Sequence, residues 1–265
     1  MKRPFQHFQQ GVRAGFAAAL LALAWGIAAH AQPNADFKAC GEQKGEPAIQ
    51  ACTRVIDSKD AKVKMEHAYF NRGVEWSGQN KYDNAIADYT AAIKIDPKYR
   101  EAYNNRGNAY RRKGDHALAI ADYTEAIKLN PKRGLYYRNR GTVLQDRREY
   151  TRALADFDEA IKLDANDASA NDSAAWILAT APDAKLRNGK RAVMLATKAC
   201  ELTQWKNASY VDTLAASHAE DGNYKEAVRR QEEALMVPEF EKSDGKNARN
   251  RLKLYKSGKP VRLKA

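Results

Sequence analysis

Between residues 69 and 163 apolar and small residues return at intervals of three and four, the spacing that builds one face of a helix. In the stretch ALAIADYTEAIKL the face is Ala119, Ile120, Tyr123, Ala126 and Ile127. A second stripe of the same period precedes it, and the turn residues Lys113-Gly114-Asp115 separate the two. Asp115 is a suitable helix N-cap, since its side chain can accept from the first free amides. Asn130-Pro131 closes the segment, because the residue before a proline is pushed out of the helical region. The predicted unit is two helices joined by a tight turn.

That unit is written three times. YFNRG at 69–73, YNNRG at 103–107 and YRNRG at 137–141 stand 34 residues apart. Following the phrases onward aligns Gly73 with Gly107 and Gly141, and Ala85 with Ala119 and Ala153. Tyr89, Tyr123 and Phe157 share a column, as do Ala92, Ala126 and Ala160. Pro97 and Pro131 end two blocks, and Ala165 takes that place in the third. A phrase repeated at a fixed interval marks a structural unit that is stacked, whereas a catalytic motif is normally written once. Glycine and alanine sit where helices must approach closely, and the aromatics fill the gap that remains.

The glycine, the aromatic three residues after it (Trp76, Tyr110; Leu144 in the third block), the alanine columns, the later aromatic and the proline together resemble the tetratricopeptide repeat, a 34-residue helix–turn–helix unit. The resemblance implies an all-α fold, a right-handed solenoid in which the first helix of each unit lines a concave, peptide-binding side. Three regular units are expected at 66–99, 100–133 and 134–167. NDSAAWILATAPD with NGKRAVMLATKACEL resembles a fourth unit with a longer turn from Pro182 to Gly189, and the segment from Ser209 to Pro238 a fifth, so two divergent units are expected over 168–238. A shortened unit is expected over 32–65, and 239–265 resembles the polar capping helix and tail that an array needs at its exposed end.

Asn71, Asn105 and Asn139 fall in one column of the first helices. In the family an Asn there commonly pairs with a bound peptide's backbone, and an amide offers both donor and acceptor. The other groove-facing candidates vary between units: His67, Phe70 and Val74; Glu101, Asn104, Asn108 and Arg111; Arg138, Thr142 and Gln145. The family's two-carboxylate clamp is not implied, because Phe70 and Val74 stand where a Lys and an Asn are needed and Leu135 replaces a basic residue. Arg72, Arg106 and Arg140 each precede an acid by sixteen residues (Asp88, Asp122, Asp156), which predicts a guanidinium–carboxylate strut between helices.

The first 31 residues change the picture of where the protein works. Lys2, Arg3 and Arg13 precede a small apolar run over 14–29, and Ala29-His30-Ala31 is a cleavage pattern. This reads as a signal peptide cut before Gln32, with the mature chain periplasmic or secreted. The net charge of +12 falls to about +9 once those three cations leave. Nucleic acid is not an expected partner of an exported chain; acidic proteins, anionic lipid and acidic polysaccharide are. Arg111, Arg112, Lys113, Arg147 and Arg148 lie in equivalent turns and predict one basic rim. An oxidising compartment favours a Cys40–Cys52 disulfide, which within the resemblance staples the two helices of the terminal unit. Cys200, in an apolar stretch, is expected to be a buried inert thiol.

No catalytic, metal or cofactor signature appears. Ser209, Asp212 and His218 lie on one expected helix, but six residues separate the Asp from the His and they face different ways. There is no His-Glu-x-x-His, no Cys-x-x-Cys and no glycine-rich phosphate loop. The expected function is a non-enzymatic scaffold that binds a partner protein or peptide in the cell envelope, with a basic rim for anionic lipid or polysaccharide as the alternative.

Overall fold

The computed structural model describes residues 33–59 and 64–264. The signal segment and its cleavage site lie outside the described residues. Among the described residues thirteen α-helices follow one another. A short pair, α1 (Pro33–Glu42) and α2 (Glu46–Ser58), precedes the hairpins α3 (Met65–Gly78) with α4 (Tyr82–Ile95), α5 (Arg100–Lys113) with α6 (His116–Leu129), and α7 (Gly134–Asp146) with α8 (Tyr150–Leu163). Then come α9 (Ala168–Thr180) with α10 (Gly189–Leu202), α11 (Ala208–Glu220) with α12 (Tyr224–Leu235), and a last helix α13 (Pro238–Lys256). Each helix packs against the next, so the array is an α-solenoid.

The glycine and aromatic columns explain how each hairpin closes. A Cβ on Gly73, Gly107 or Gly141 would lie 2.7–2.9 Å from the ring of Tyr89, Tyr123 or Phe157. The rings are fully buried and occupy the space that the missing side chains leave. Alanines at 85, 119 and 153 and at 92, 126 and 160 are buried as well, which lets the helix axes come close. The second helices end at Ile95, Leu129 and Leu163, where the Asp96, Asn130 and Asp164 side chains accept from the backbone two residues on, at 2.9, 3.2 and 3.0 Å. The third of these turns forms without a proline.

Asp115 occupies the N-cap position of α6 but makes no capping bond; its exposed carboxylate acts on Lys113 instead. Side-chain caps appear in the divergent half, from Asp167, Asn188, Asn207 and Asn223. The longer fourth turn contains a 3₁₀ turn over Ala184–Leu186. The last helix begins at Pro238, earlier than the polar run suggests, and it is not polar all round: Phe240, Ala248 and Tyr255 are buried against the array. The chain beyond it returns to the ends of α9 and α11, where Leu263 donates to the Thr180 carbonyl at 2.9 Å and Arg262 pairs with Glu220 at 2.6 Å.

Cys40, at the end of α1, is bonded to Cys52 on α2, and both are buried. Cys200 is a buried free thiol pushed up to about 12 by burial. Among the described residues no helix is long and apolar enough to cross a membrane.

Candidate partner-binding groove

Successive first helices touch, α3 with α5, α5 with α7, α7 with α9 and α9 with α11. Among the described residues no second helix packs closely on the next second helix. Elements that crowd on one side and splay on the other make that first side concave. The concave face is therefore built from α3, α5, α7, α9 and α11.

The arginine column holds this face in register from behind. Arg72, Arg106 and Arg140 each donate two hydrogen bonds of 2.7–2.8 Å to Asp88, Asp122 and Asp156. A third bond runs to a threonine on the preceding unit: Thr53, Thr90 or Thr124, at 2.9–3.0 Å. Each guanidinium also lies 5.6–5.9 Å from the ring of Tyr69, Tyr103 or Tyr137. The fork geometry suits one carboxylate on its own hairpin and one hydroxyl next door, so the arginine ties units together.

The asparagine candidates divide. Asn139 donates to Asn104 across the unit boundary at 2.9 Å, and Asn104 donates to Asn105 at 3.0 Å. Asn105 in turn hydrogen-bonds the Tyr89 hydroxyl, whose acidity burial lowers, pushing it up to about 12. Asn104 is buried in this chain of amides rather than open. Asn71 faces Cys40 at 4.0 Å. Asn108 accepts from the Tyr123 hydroxyl at 2.7 Å, and Thr142 donates back to the Arg138 carbonyl at 2.9 Å. Arg138 pairs with Asp167 at 3.2 Å. The His67 and Phe70 rings pack at a tilt against Tyr99, the residue just before α5, with 5.3 and 4.9 Å between ring centres, and Val74 is half-buried.

Two depressions follow one another along this face. One, of about 330 Å³, is walled by Phe70, Glu101, Asn104, Asn105, Arg133 and Tyr136. The other, of about 660 Å³, shares Arg133 and Leu135 with it and continues past Arg138, Asp167 and Tyr210. Their walls offer amides, a guanidinium and aromatic rings, the mixture that suits an extended chain.

The columns do not stop at the third unit. Aligned on the column of Gly73, Gly107 and Gly141, which Ala175 and Ala215 continue, Phe70, Asn104 and Arg138 are followed by Asp172 and Asp212; Asn71, Asn105 and Asn139 by Ser173 and Thr213; and Val74, Asn108 and Thr142 by Trp176 and Ala216. Of these, Asp172, Ser173, Trp176, Asp212 and Thr213 line the groove's far end; the sequence marks only Asp212 among them, and for catalysis rather than for the groove, because the strict repeat phrase lapses there. Asp212 accepts from Arg251 of α13 at 2.9 Å and from Gln231 at 2.6 Å. Its carboxylate is thus committed to α12 and α13, not to Ser209 or His218.

The basic rim is cross-braced. Lys113 pairs with Asp83, Arg111 with Asp146 at 3.5 Å, and Arg147 with Glu149 at 2.8 Å, while Arg112 is exposed. Among the described residues no cluster of His, Cys, Asp and Glu has the make-up of a metal site.

Models of the tetratricopeptide repeat match residues 78–114, 101–133 and 135–163. Residues 78–133 and 135–163 are tetratricopeptide repeats. Solved structures of tetratricopeptide-repeat proteins share the chain's fold. YrrB, described as a tetratricopeptide-repeat protein with an unusual peptide-binding site, superimposes with a TM-score of 0.62 at 22% identity, over 78% of this chain and all of its own. MamA from Desulfovibrio magneticus gives 0.57 at 17% identity, over 67% of this chain and 97% of its own. A tetratricopeptide-repeat protein from Parabacteroides merdae gives 0.59 at 17% identity, over 80% and 84%. At these identities the likeness is one of fold. No curated protein matches the chain.

Proposed function

We propose that this protein is a non-enzymatic scaffold of the bacterial cell envelope that holds an extended segment of a partner protein against α3, α5 and α7. The observation that carries this reading is the line of amides beside the two connected depressions. Each Asn side chain has two donor protons and two acceptor lone pairs, so the bonds among Asn139, Asn104, Asn105 and Tyr89 leave most of that capacity for a ligand backbone. YrrB, whose fold this chain shares, is described as having a peptide-binding site, which supports the class of ligand. The envelope location rests on the sequence of residues 1–31, and N-terminal sequencing of the fractionated protein checks for a mature start at Gln32. The braced rim gives no specific support to a lipid- or polysaccharide-binding reading.

The test compares partner capture from envelope extract by the native chain and by the triple variant Asn71→Ala, Asn105→Ala, Asn139→Ala. Because Asn139 and Asn105 also bond within the array, each change costs about 0.5–1.5 kcal/mol of stability, and circular dichroism must show the helices intact. Capture should fall at least tenfold, and capture by the native chain should survive 0.5 M salt, where exposed charges are screened beyond about 4 Å. Undiminished capture by a folded triple variant, or capture lost from the native chain in salt, overturns the groove reading.

A further inference from the structure

At the far end of the same face α9, α11 and α13 enclose a depression of about 250 Å³. Asp172, Trp176, Ser209, Asp212, Asp244 and Arg251 are among its lining residues. Three carboxylates and one guanidinium meet here, in a chain whose net charge is strongly positive. Arg251 is spent on two of the three: it pairs with Asp212 at 2.9 Å and with Asp244, its side chain almost wholly covered. Asp172 is left without a cation. Its Oδ1 is buried and accepts no hydrogen bond from any described residue. The Thr213 hydroxyl faces it, but that hydroxyl also donates to the Ser209 carbonyl at 3.2 Å and has one proton for both. Asp172 as a residue is half-buried, but a carboxyl oxygen held away from water with an open bonding position is costly to keep unless something completes it.

We propose that this depression is a specificity pocket for a primary ammonium group, supplied by a lysine side chain of the bound partner segment, with Asp172 as its counter-ion and Trp176 as one wall. The proposal rests on the groove reading, since the pocket continues the columns that carry Phe70, Asn71 and Val74. A lysine brings the missing charge, three donor protons and a slender stem that can lie along the indole. The Trp176 ring already faces the Arg251 guanidinium, 5.8 Å from its centre, so a second cation meets a ring of suitable polarity. A carboxylate or phosphate ligand would meet the residual acidic charge and is excluded on that ground.

The pocket should also respond to pH. Burial pushes the Asp172 carboxyl up to about 7, and the neighbouring Asp212 carboxylate adds to the effect. The other titratable or charged groups around it are Cys200 on α10, Tyr210 on α11, and Asp244 and Arg251 on α13. Burial places the Cys200 thiol at about 12 and raises the Tyr210 hydroxyl, so neither changes charge between pH 6 and 8. An ammonium ion binds only the ionised carboxyl, and its apparent affinity therefore follows the ionised fraction, rising about tenfold from pH 6 to pH 8.

The experiment titrates the mature chain with n-butylammonium and, separately, with Nα-acetyl-lysine methylamide, following the Trp176 indole N–H by nuclear magnetic resonance. A saturable shift is expected with both, stronger at pH 8 than at pH 6, and none with n-butyrate. A tighter response to the lysine derivative points to a peptide source, and an equal response to a free amine as the physiological ligand, which overturns the lysine assignment. Asp172→Asn, nearly the same shape, should melt no lower than the native chain and lose at least ten-fold in amine affinity and all of its pH dependence. Ser209→Lys, on an exposed wall position, should fill the pocket from within and abolish the shift even if the first variant fails to fold. No saturable shift in the native chain, or an unchanged one in both variants, overturns the proposal. Partner capture by the triple asparagine variant is a separate readout, so a failed amine titration with intact asparagine-dependent capture removes the pocket and leaves the groove.

Discussion

Replacing Arg106 by alanine separates a structural brace from a surface ion pair, and the two readings differ severalfold in magnitude. An exposed pair contributes about 0–1 kcal/mol. Arg106 and Asp122 are not exposed: their side chains retain 16% and 7% of their accessible surface. The guanidinium makes two bonds of 2.8 Å to Asp122, one of 3.0 Å to Thr90 on the preceding unit, and covers the rings of Tyr103 and Tyr110. Truncation leaves a buried carboxylate without a partner, for which the usual cost is about 3–5 kcal/mol. For a folded array of this size that is a fall in melting temperature of about 6–20 °C. The deficit should depend on pH. Burial already pushes the Asp122 carboxyl above 3.8, with Arg106 opposing it, and removing Arg106 lets it rise further. A carboxyl whose folded pKa lies above its unfolded one costs stability at higher pH, and the cost disappears once both states are protonated below about pH 4. Thermal unfolding by circular dichroism at pH 7.5 and near pH 4 reads both effects. A double change, Arg106→Met with Asp122→Leu, removes the charges together and should recover most of the loss. A deficit below about 1 kcal/mol, or one that is the same at both pH values, would refute the brace and return the arginine column to surface or ligand duty.

Two further changes test the packing. Gly107→Ala places a Cβ 2.9 Å from the Tyr123 ring, which is fully buried and pinned by its bond to Asn108, so it should cost about 1–3 kcal/mol in thermal unfolding; Gly78→Ala, with nothing within 4 Å, should be neutral or slightly stabilising. Removing the staple by Cys40→Ser with Cys52→Ser should lower stability by roughly 2–3 kcal/mol, seen as faster amide exchange in α1 and α2 with little change beyond α5; unchanged exchange there would show that the bond constrains nothing.

The parts of this fold legible in the sequence are those in which one residue type answers one local demand, repeated. Gly107 is readable because its neighbour Tyr123 is sixteen residues away in every copy, and Arg106 because Asp122 keeps the same spacing. The asparagine column was legible as a column, but not its division of labour: Asn104, the variable second letter of the repeated phrase, joins Asn139 to Asn105. That bond depends on the pitch between units, which no single unit encodes.

The far end of the groove was hidden for a different reason. Asp172 and Trp176 occupy the same columns as Phe70 and Val74, yet the neighbouring letters that would reveal the register have changed, and an aspartate on a helix normally reads as solvated surface. Its significance arises only when α13 folds back. Arg251 crosses thirty-nine residues of chain to reach Asp212, closes the end of the groove, and takes up two of the three carboxylates there. The residue left over is defined by what its neighbours have already claimed. A terminal helix usually needs only to cover the last apolar face, and Phe240, Ala248 and Tyr255 do that here. Placing a guanidinium on the same helix where it leaves one acid unpaired adds no stability to the cap, since a carboxyl with a covered, unpaired oxygen costs rather than contributes. That cost is easier to understand if the acid's partner arrives from outside, with the ligand.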